Sequence, residues 1–290
     1  MKSMNQMFSV TTADSLSPSG KQALLSLYEA CALADKTDTP LYLSTDLNYY
    51  KKIPPFYFAW EKEKLAGFLV LFMPEKEEAE VTAYTHPAFR GRGCFRALCA
   101  AAKEICRENG IKRLLYTVDA ACESGQTVLE RSELASYEFS EYKLELEEAQ
   151  PYREDPDISF EPVTEENAEV YRKTAAEALE SRETAEVFLE SMLSGSARKG
   201  YIEYWKGIPA GVCHISVQDG EAGIYGLGVL KEYRGIGLGK QFVRYMSREA
   251  AGSGLPVVIE VDSDNQRAYS IYRKCGFRVV QQTDYFAEDL

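Results

Sequence analysis

Long apolar runs are missing from this 290-residue chain, so no stretch is suited to span a bilayer, and the polar opening Met1 to Thr12 lacks the apolar core of a secretory signal. The expectation is a chain with no membrane partner. Cys-x-x-Cys pairs are missing too. The seven cysteines (Cys31, Cys94, Cys99, Cys106, Cys122, Cys213 and Cys275) are an odd number in a chain large enough not to need covalent staples. That favours reduced thiols and a cytoplasmic setting. Cys94, Cys99 and Cys106 share one helical stretch at spacings unsuited to a metal site, so core packing is their expected role and no metal is expected. Basic charge is short: 33 Lys and Arg against 45 Asp and Glu give a net charge of −12. Nucleic acid is therefore an unfavoured partner, because neutralising phosphates needs basic patches. Charge of this size commonly serves solubility alone.

What is present is a repeat. Arg234-Gly235-Ile236-Gly237-Leu238-Gly239 follows an apolar run, Ile224 to Leu230, and opens a helix-like stretch reaching about Ala251. A weaker echo, Phe89-Arg90-Gly91-Arg92-Gly93, lies 144 positions earlier, and Leu65-Ala66-Gly67 stands the same distance before Pro209-Ala210-Gly211. The length suggests about two domains. The segment from Glu147 to Asp157 is charged, carries Pro151 and Pro156 and has little apolar content, so it marks the expected boundary between domains 1–150 and 151–290.

In the second half, 201–205, 210–217 and 224–230 read as three strands separated by Lys206-Gly207 and Asp219-Gly220 turns, which predicts an antiparallel meander. Leu238, Phe242, Val243 and Met246 recur at helical spacing, and Pro256 to Val261 is a short apolar strand. Strand, helix and strand make a crossover, with the last two strands parallel. Asp264 or Asn265 can cap a further helix that stops at Lys274-Cys275-Gly276, before a final strand from Phe277 to Tyr285. The first half repeats the plan with strands at 56–60, 65–72, 79–84 and 113–118 and a helix over 93–109.

Backbone N–H groups at a helix start lack partners and sit at the positive end of the helix dipole, so a glycine-rich turn there is a cradle for a diphosphate. The dinucleotide fingerprint fails on spacing, because Lys240 replaces its third glycine. The nucleoside-triphosphate loop fails as well: Arg234 replaces its first glycine and Gln241 its hydroxyl residue.

With those excluded, the segment Tyr225 to Gly239 resembles the acetyl-CoA-binding motif of the GNAT acyltransferase superfamily. Asn265-x-x-Ala268-x-x-x-Tyr272-x-x-x-Gly276-Phe277 is similar to that superfamily's second signature. The resemblance covers the second half and, more loosely, Phe56 to Leu146. It implies an α/β (α+β) fold of two tandem GNAT-like domains, each a mixed, mostly antiparallel sheet flanked by helices. It also implies acetyl transfer from acetyl-CoA to a primary amine of a small molecule or peptide in a direct ternary complex. The negative net charge is compatible with a cationic acceptor, and small amines, aminoglycosides, amino-sugar conjugates and peptide amino termini all fit.

By the same resemblance, the backbone of Arg234, Gly235, Ile236, Gly237, Leu238, Gly239 and Lys240 would hold the diphosphate, and Leu227 and Val229 would pair with the pantetheine arm like another strand. Gly226 and Gly228 fit a strand bent by a bulge where a ligand approaches closely. Tyr272 matches the position that protonates the leaving thiolate, although Tyr269 and Tyr272 could both be core on one helix face. Asn265 either touches the pantetheine arm or simply caps its helix. The base is open. His214, one of only two histidines, and Glu260 are candidates, with Glu203 and Glu221 also on or beside core strands. A lone strand histidine is more often a hydrogen-bonded core group than a catalyst. No glutamate stands where the family often carries one before the turn, since that place holds Ala222-Gly223-Ile224. Tyr272 favours an enzyme, and the missing glutamate favours an acyl-CoA-binding regulatory module without turnover.

The first half has lost parts of both motifs. Phe95 stands where the second half has Gly239, and the place of Tyr272 is taken by Leu129 or Leu134 depending on the register chosen. Arg90, Arg92 and Arg96 keep positive charge at its turn. His86, just before Pro87, reads as a loop residue.

Overall fold

The computed structural model describes residues 7–290 except 38, 132–134, 153, 196 and 219; Leu134 and the Asp219 half of the Asp219-Gly220 turn therefore lie outside the described residues. The chain forms two compact units, one of residues 1–139 with 283–290 and the other of residues 140–282. The charged segment around residue 150 falls inside the second unit, because the strand before it already pairs with that unit's sheet.

In the first unit, β1 (Ser9–Ala13) pairs antiparallel with β2 (Phe56–Glu61). Between them runs α1 (Pro18–Asp35), started by Ser17, whose hydroxyl accepts from Gly20 N, and ended by left-handed Lys36. Four buried residues in succession, Phe56 to Ala59, show β2 covered on both faces. It turns through Lys62 into β3 (Lys64–Phe72), which pairs antiparallel with β4 (Glu78–Thr85). After α2 (Cys94–Glu108) the chain returns as β5 (Arg113–Asp119), parallel to β4, and continues into α3 (Glu123–Glu130). The sheet order is β1-β2-β3-β4-β5, with the end of β12 (Phe277–Asp289) antiparallel on β5. Within this unit Glu288 takes a hydrogen bond from Tyr116 (2.6 Å) and an ion pair from Lys103 (2.7 Å). Leu98, Ala102 and Cys106 pack α2 against one sheet face, and Leu24, Leu27 and Cys31 pack α1 against the other.

The second unit repeats the pattern. β6 (Ser136–Leu146) contributes its later residues, followed by β7 (Ile158–Pro162), α4 (Ala168–Ala178) and α5 (Arg182–Leu193). The meander β8 (Arg198–Trp205), β9 (Ile208–Gln218) and β10 (Glu221–Val229) is antiparallel as predicted. α6 (Leu238–Ala251) then crosses to β11 (Val257–Asp262), parallel to β10, and α7 (Gln266–Lys274) leads into β12. The order is β6-β11-β10-β9-β8-β7. Phe242, Val243 and Met246 of α6 fill one face with Ile224 and Ile259; Tyr171, Ala175 and Leu189 of α4 and α5 cover the other with Ile202 and Val212.

The repeat reaches beyond the motifs. Left-handed Lys36 and Lys62 recur 144 positions on as left-handed Glu180 and Lys206. Both units are thus mixed, mostly antiparallel sheets flanked by helices. No helix among the described residues is long and apolar enough to cross a membrane, and no group of three or more described His, Cys, Asp or Glu side chains could hold a metal ion.

Candidate active site

The turn after β10 is built for a close backbone approach. Gly235 (φ 90°) and Gly237 (φ 103°) are both left-handed, a region that disfavours side chains, and a Cβ on either would meet nothing within 4 Å. Space is open where α6 begins, and the first-turn amides of Leu238 and Gly239 have no acceptor within the helix. Lys240 and Gln241 donate back to Gly237 O, closing the turn. Arg234 fastens it to the strand by donating Nε to Val229 O at 2.8 Å. Leu238 is buried and anchors the helix, whereas Ile236 is exposed. This open cradle of amides fits a diphosphate.

Before the turn, β10 bends. Its register with β9 shifts between Tyr225 and Gly228, and Gly226 is left-handed at φ 58°. A side chain at Gly226 would press on Phe188 (3.0 Å) and His214 (3.1 Å), and one at Gly228 on Ala178 and Leu179 (3.0 Å each), so both glycines are required by packing. The parallel ladder between β10 and β11 ends at Ile224↔Ile259. Beyond it the strands part, leaving Leu227 and Val229 on a free strand edge. That edge fits a ligand arm pairing as a strand.

Tyr272 lies on α7, buried in the core beside Phe277 (ring centroids 6.4 Å). Burial, with smaller contributions from Cys213 and Cys275, pushes its pKa up, so the hydroxyl keeps its proton. Tyr269 instead packs against Tyr142 at 5.7 Å. Asn265 caps α7, its Oδ1 accepting from Ala268 N at 3.1 Å.

The candidate bases are not together. Strand alternation puts Tyr201, Glu203, Gly211 and Cys213 on the α6 side, and His214 with Phe188 (ring centroids 4.5 Å) on the α5 side. His214 is fully buried, neither ring nitrogen has a partner, and burial holds its pKa down to about 3. It is neutral and a poor proton acceptor. Glu203 is also fully buried with both oxygens unpartnered, and burial raises its pKa to about 8. Glu260 is half-buried on β11. Desolvation raises its pKa above the usual carboxylate range and Glu141 adds to this, while Lys143 opposes and Glu221 reinforces. Glu141 and Lys143 come from β6, a strand that the sequence pattern did not reveal.

The first unit lacks the bend and the strand separation seen in the second. β3 and β4 keep an unbroken register, the β4–β5 ladder runs one rung further to Val81↔Tyr116, and Thr82 and Thr117 join by a hydroxyl hydrogen bond (2.7 Å). Arg90 is held by both carboxylate oxygens of Asp35 (2.7 and 2.6 Å) and also bonds Ser124 and Thr85 O. Arg92 pairs with Glu61 and lies over the rings of Phe8 and Phe89. The charges of Arg90 and Arg92 are therefore met by carboxylates. Phe95 does not cross the turn but packs partly buried near Tyr116 (6.1 Å), while Gly91 and Gly93 stay open. Leu129 is buried on α3, and His86 caps the turn by accepting from Ala88 N. Cys94, Cys99 and Cys106 are core residues.

The family model of the GNAT acetyltransferases matches this chain twice, over residues 21–125 and 160–277. The chain belongs to the GNAT acetyltransferase family. A 72-residue stretch is 33% identical to the uncharacterized N-acetyltransferase YobR of Bacillus subtilis, covering 24% of this chain and 29% of that protein. Among solved structures, a GCN5-related N-acetyltransferase from Sphaerobacter thermophilus is similar with a TM-score of 0.76, at 16% identity over 98% of this chain and 96% of its own. A tandem GNAT protein from the clavulanic acid biosynthesis pathway follows at 0.67 and 18% identity, over 97% and 98% of the two chains. At these identities the likeness concerns the fold.

Proposed function

We propose that the second unit transfers an acetyl group from acetyl-CoA to a primary amine of a small molecule or peptide in a direct ternary complex. The observation that carries this is the parting of β10 and β11 at the Gly226 bulge, directly ahead of the open Gly235–Gly237 turn. Acetyl-CoA supplies the acetyl group as a thioester. First-turn amides of α6 would hold the diphosphate, and the edge of Leu227 and Val229 the pantetheine arm. Glu260, with its raised pKa, would take the proton of the acceptor ammonium, so that the freed nitrogen can form the new C–N bond. As the C–S bond breaks, Tyr272 would give its proton to the departing thiolate, leaving an amide and free CoA. Burial makes His214 the lesser base. The seven free cysteines, six of them buried, support a reduced cytoplasmic setting.

Thiol release from acetyl-CoA across an amine panel tests the assignment. Release with at least one amine is the expected result. Tight binding without release from any acceptor would assign the unit to non-catalytic acyl-CoA binding.

A further inference from the structure

One row of the second sheet passes behind the first turn of α6. Phe160 on β7 pairs with Glu203 on β8, Glu203 with Gly211 on β9, and Gly211 with Val229 on β10. Residues opposite one another across a sheet share a face, and Phe160 shows which face this is by stacking on Phe242 of α6 (ring centroids 5.3 Å). The Glu203 carboxyl reaches the room that Gly211 leaves by having no side chain. A Cβ there would lie 3.1 Å from Glu203 Oε2 and 3.5 Å from Val229 Cγ2, and the same Val229 methyl would stand 3.6 Å from a Cβ on Gly239. The carboxyl therefore sits close behind the amides proposed to hold the diphosphate.

This carboxyl is fully buried, neither oxygen has a hydrogen-bond partner, and burial raises its pKa to about 8. It is a neutral acid at neutral pH. On its own face, Cys213 of β9 keeps its proton because burial pushes its pKa up, and Tyr201 of β8 turns its hydroxyl to Glu249 (3.4 Å) with Lys199 over its ring. Phe160 and Gly211 carry no charge. The nearby cations are engaged elsewhere: Arg234 donates to Val229 O, Lys240 and Arg244 act on Cys275, and Arg248 lies over the rings of Tyr152 and Tyr245.

The first unit offers an internal comparison. Counting 144 positions back, Glu203 becomes Ala59, which pairs with Gly67 as Glu203 pairs with Gly211. Val10, Ala59, Gly67 and Thr85 make up that row, and none of them is an acid. The buried carboxyl accompanies the turn with three glycines and is missing behind the turn that carries Phe95.

We propose that Glu203 couples acetyl-CoA binding to proton uptake: a diphosphate at the first turn of α6 and a negative charge on Glu203 disfavour each other, so the bound form keeps the carboxyl protonated. This rests on the acetyl-CoA reading of the same turn and adds its regulation by pH. Two like charges about 10 Å apart at an effective dielectric of about 20 repel by roughly the equivalent of a tenfold change in a binding constant. Glu203 acts here as a positioning residue, through the turn, and touches no reacting atom.

Calorimetric titration of acetyl-CoA into the full chain near pH 8.5, in two buffers of different ionisation enthalpy, counts the protons exchanged on binding. Wild type should take up roughly half a proton per site more than Glu203→Gln, and from pH 7 to 9 its affinity should fall roughly fivefold relative to that variant. Glutamine keeps the shape and cannot ionise, so a role in packing alone would move neither reading. Equal proton uptake in the two proteins, or parallel affinity curves, would overturn the proposal. Absence of binding in both proteins at every pH would overturn the acetyl-CoA reading and this proposal with it.

Discussion

Thr82 and Thr117 share a hydroxyl hydrogen bond of 2.7 Å that ties parallel strands β4 and β5 at the level where β10 and β11 separate. One tightly bound acetyl-CoA per chain is the expected result, held by the second unit. Gly93→Glu and Gly237→Glu impose the same backbone strain, since both glycines are left-handed in open space, so each controls for the other. Isothermal titration should show binding lost in Gly237→Glu, because several charged-ligand hydrogen bonds of about 1.5–3 kcal/mol each are blocked, and retained in Gly93→Glu. The opposite pattern would place the active site in the first unit.

Tyr272→Phe keeps the buried ring and removes only the proton. Turnover should fall about ten- to a thousandfold while acetyl-CoA affinity changes little. Unchanged single-turnover rates would assign Tyr272 to packing.

Glu203 and His214 should impose opposite pH dependences on stability. The folded chain holds a proton on Glu203 up to about pH 8, whereas the ordinary value is 4.5, so its stabilising share is complete below 4.5 and lost as the pH rises to about 8. The full change is roughly 3–5 kcal/mol. His214 stays neutral down to about pH 3 against an ordinary 6.5, so its share is present above 6.5 and lost on acidification. Urea midpoints of Glu203→Gln and wild type should therefore diverge in favour of the variant between pH 5 and 9. For His214→Gln the relative gain should appear near pH 4 instead. Parallel curves at all pH values would show that water reaches these groups.

The hairpins and crossovers were legible because Leu65 to Phe72 and Val257 to Val261 are dense apolar runs, and α6 and α7 have clear punctuation in Gly237, Asn265 and Gly276. Helices α4 and α5 are not legible in the sequence, since Ala168–Ala178 and Arg182–Leu193 mix small, charged and apolar residues without a sharp stripe. The bulge was written in Gly226 and Gly228. What local pattern cannot carry is partnership across the sheet. Nothing near Glu260 announces Glu141, nothing near Arg90 announces Asp35, and the inward packing of Phe95 depends on Tyr116 from the next strand.

The last eight residues belong to the first unit, where Glu288 meets Lys103 and Tyr116. On the ribosome these partners emerge well before the strand that completes them, so β5 waits as a bare edge while the second unit is being made. Exposed edges recruit strands from other chains. A product cut after residue 282 would leave that edge open for good, so aggregation through β5, rather than disruption of the Gly235–Gly237 turn, is the defect such a truncation brings.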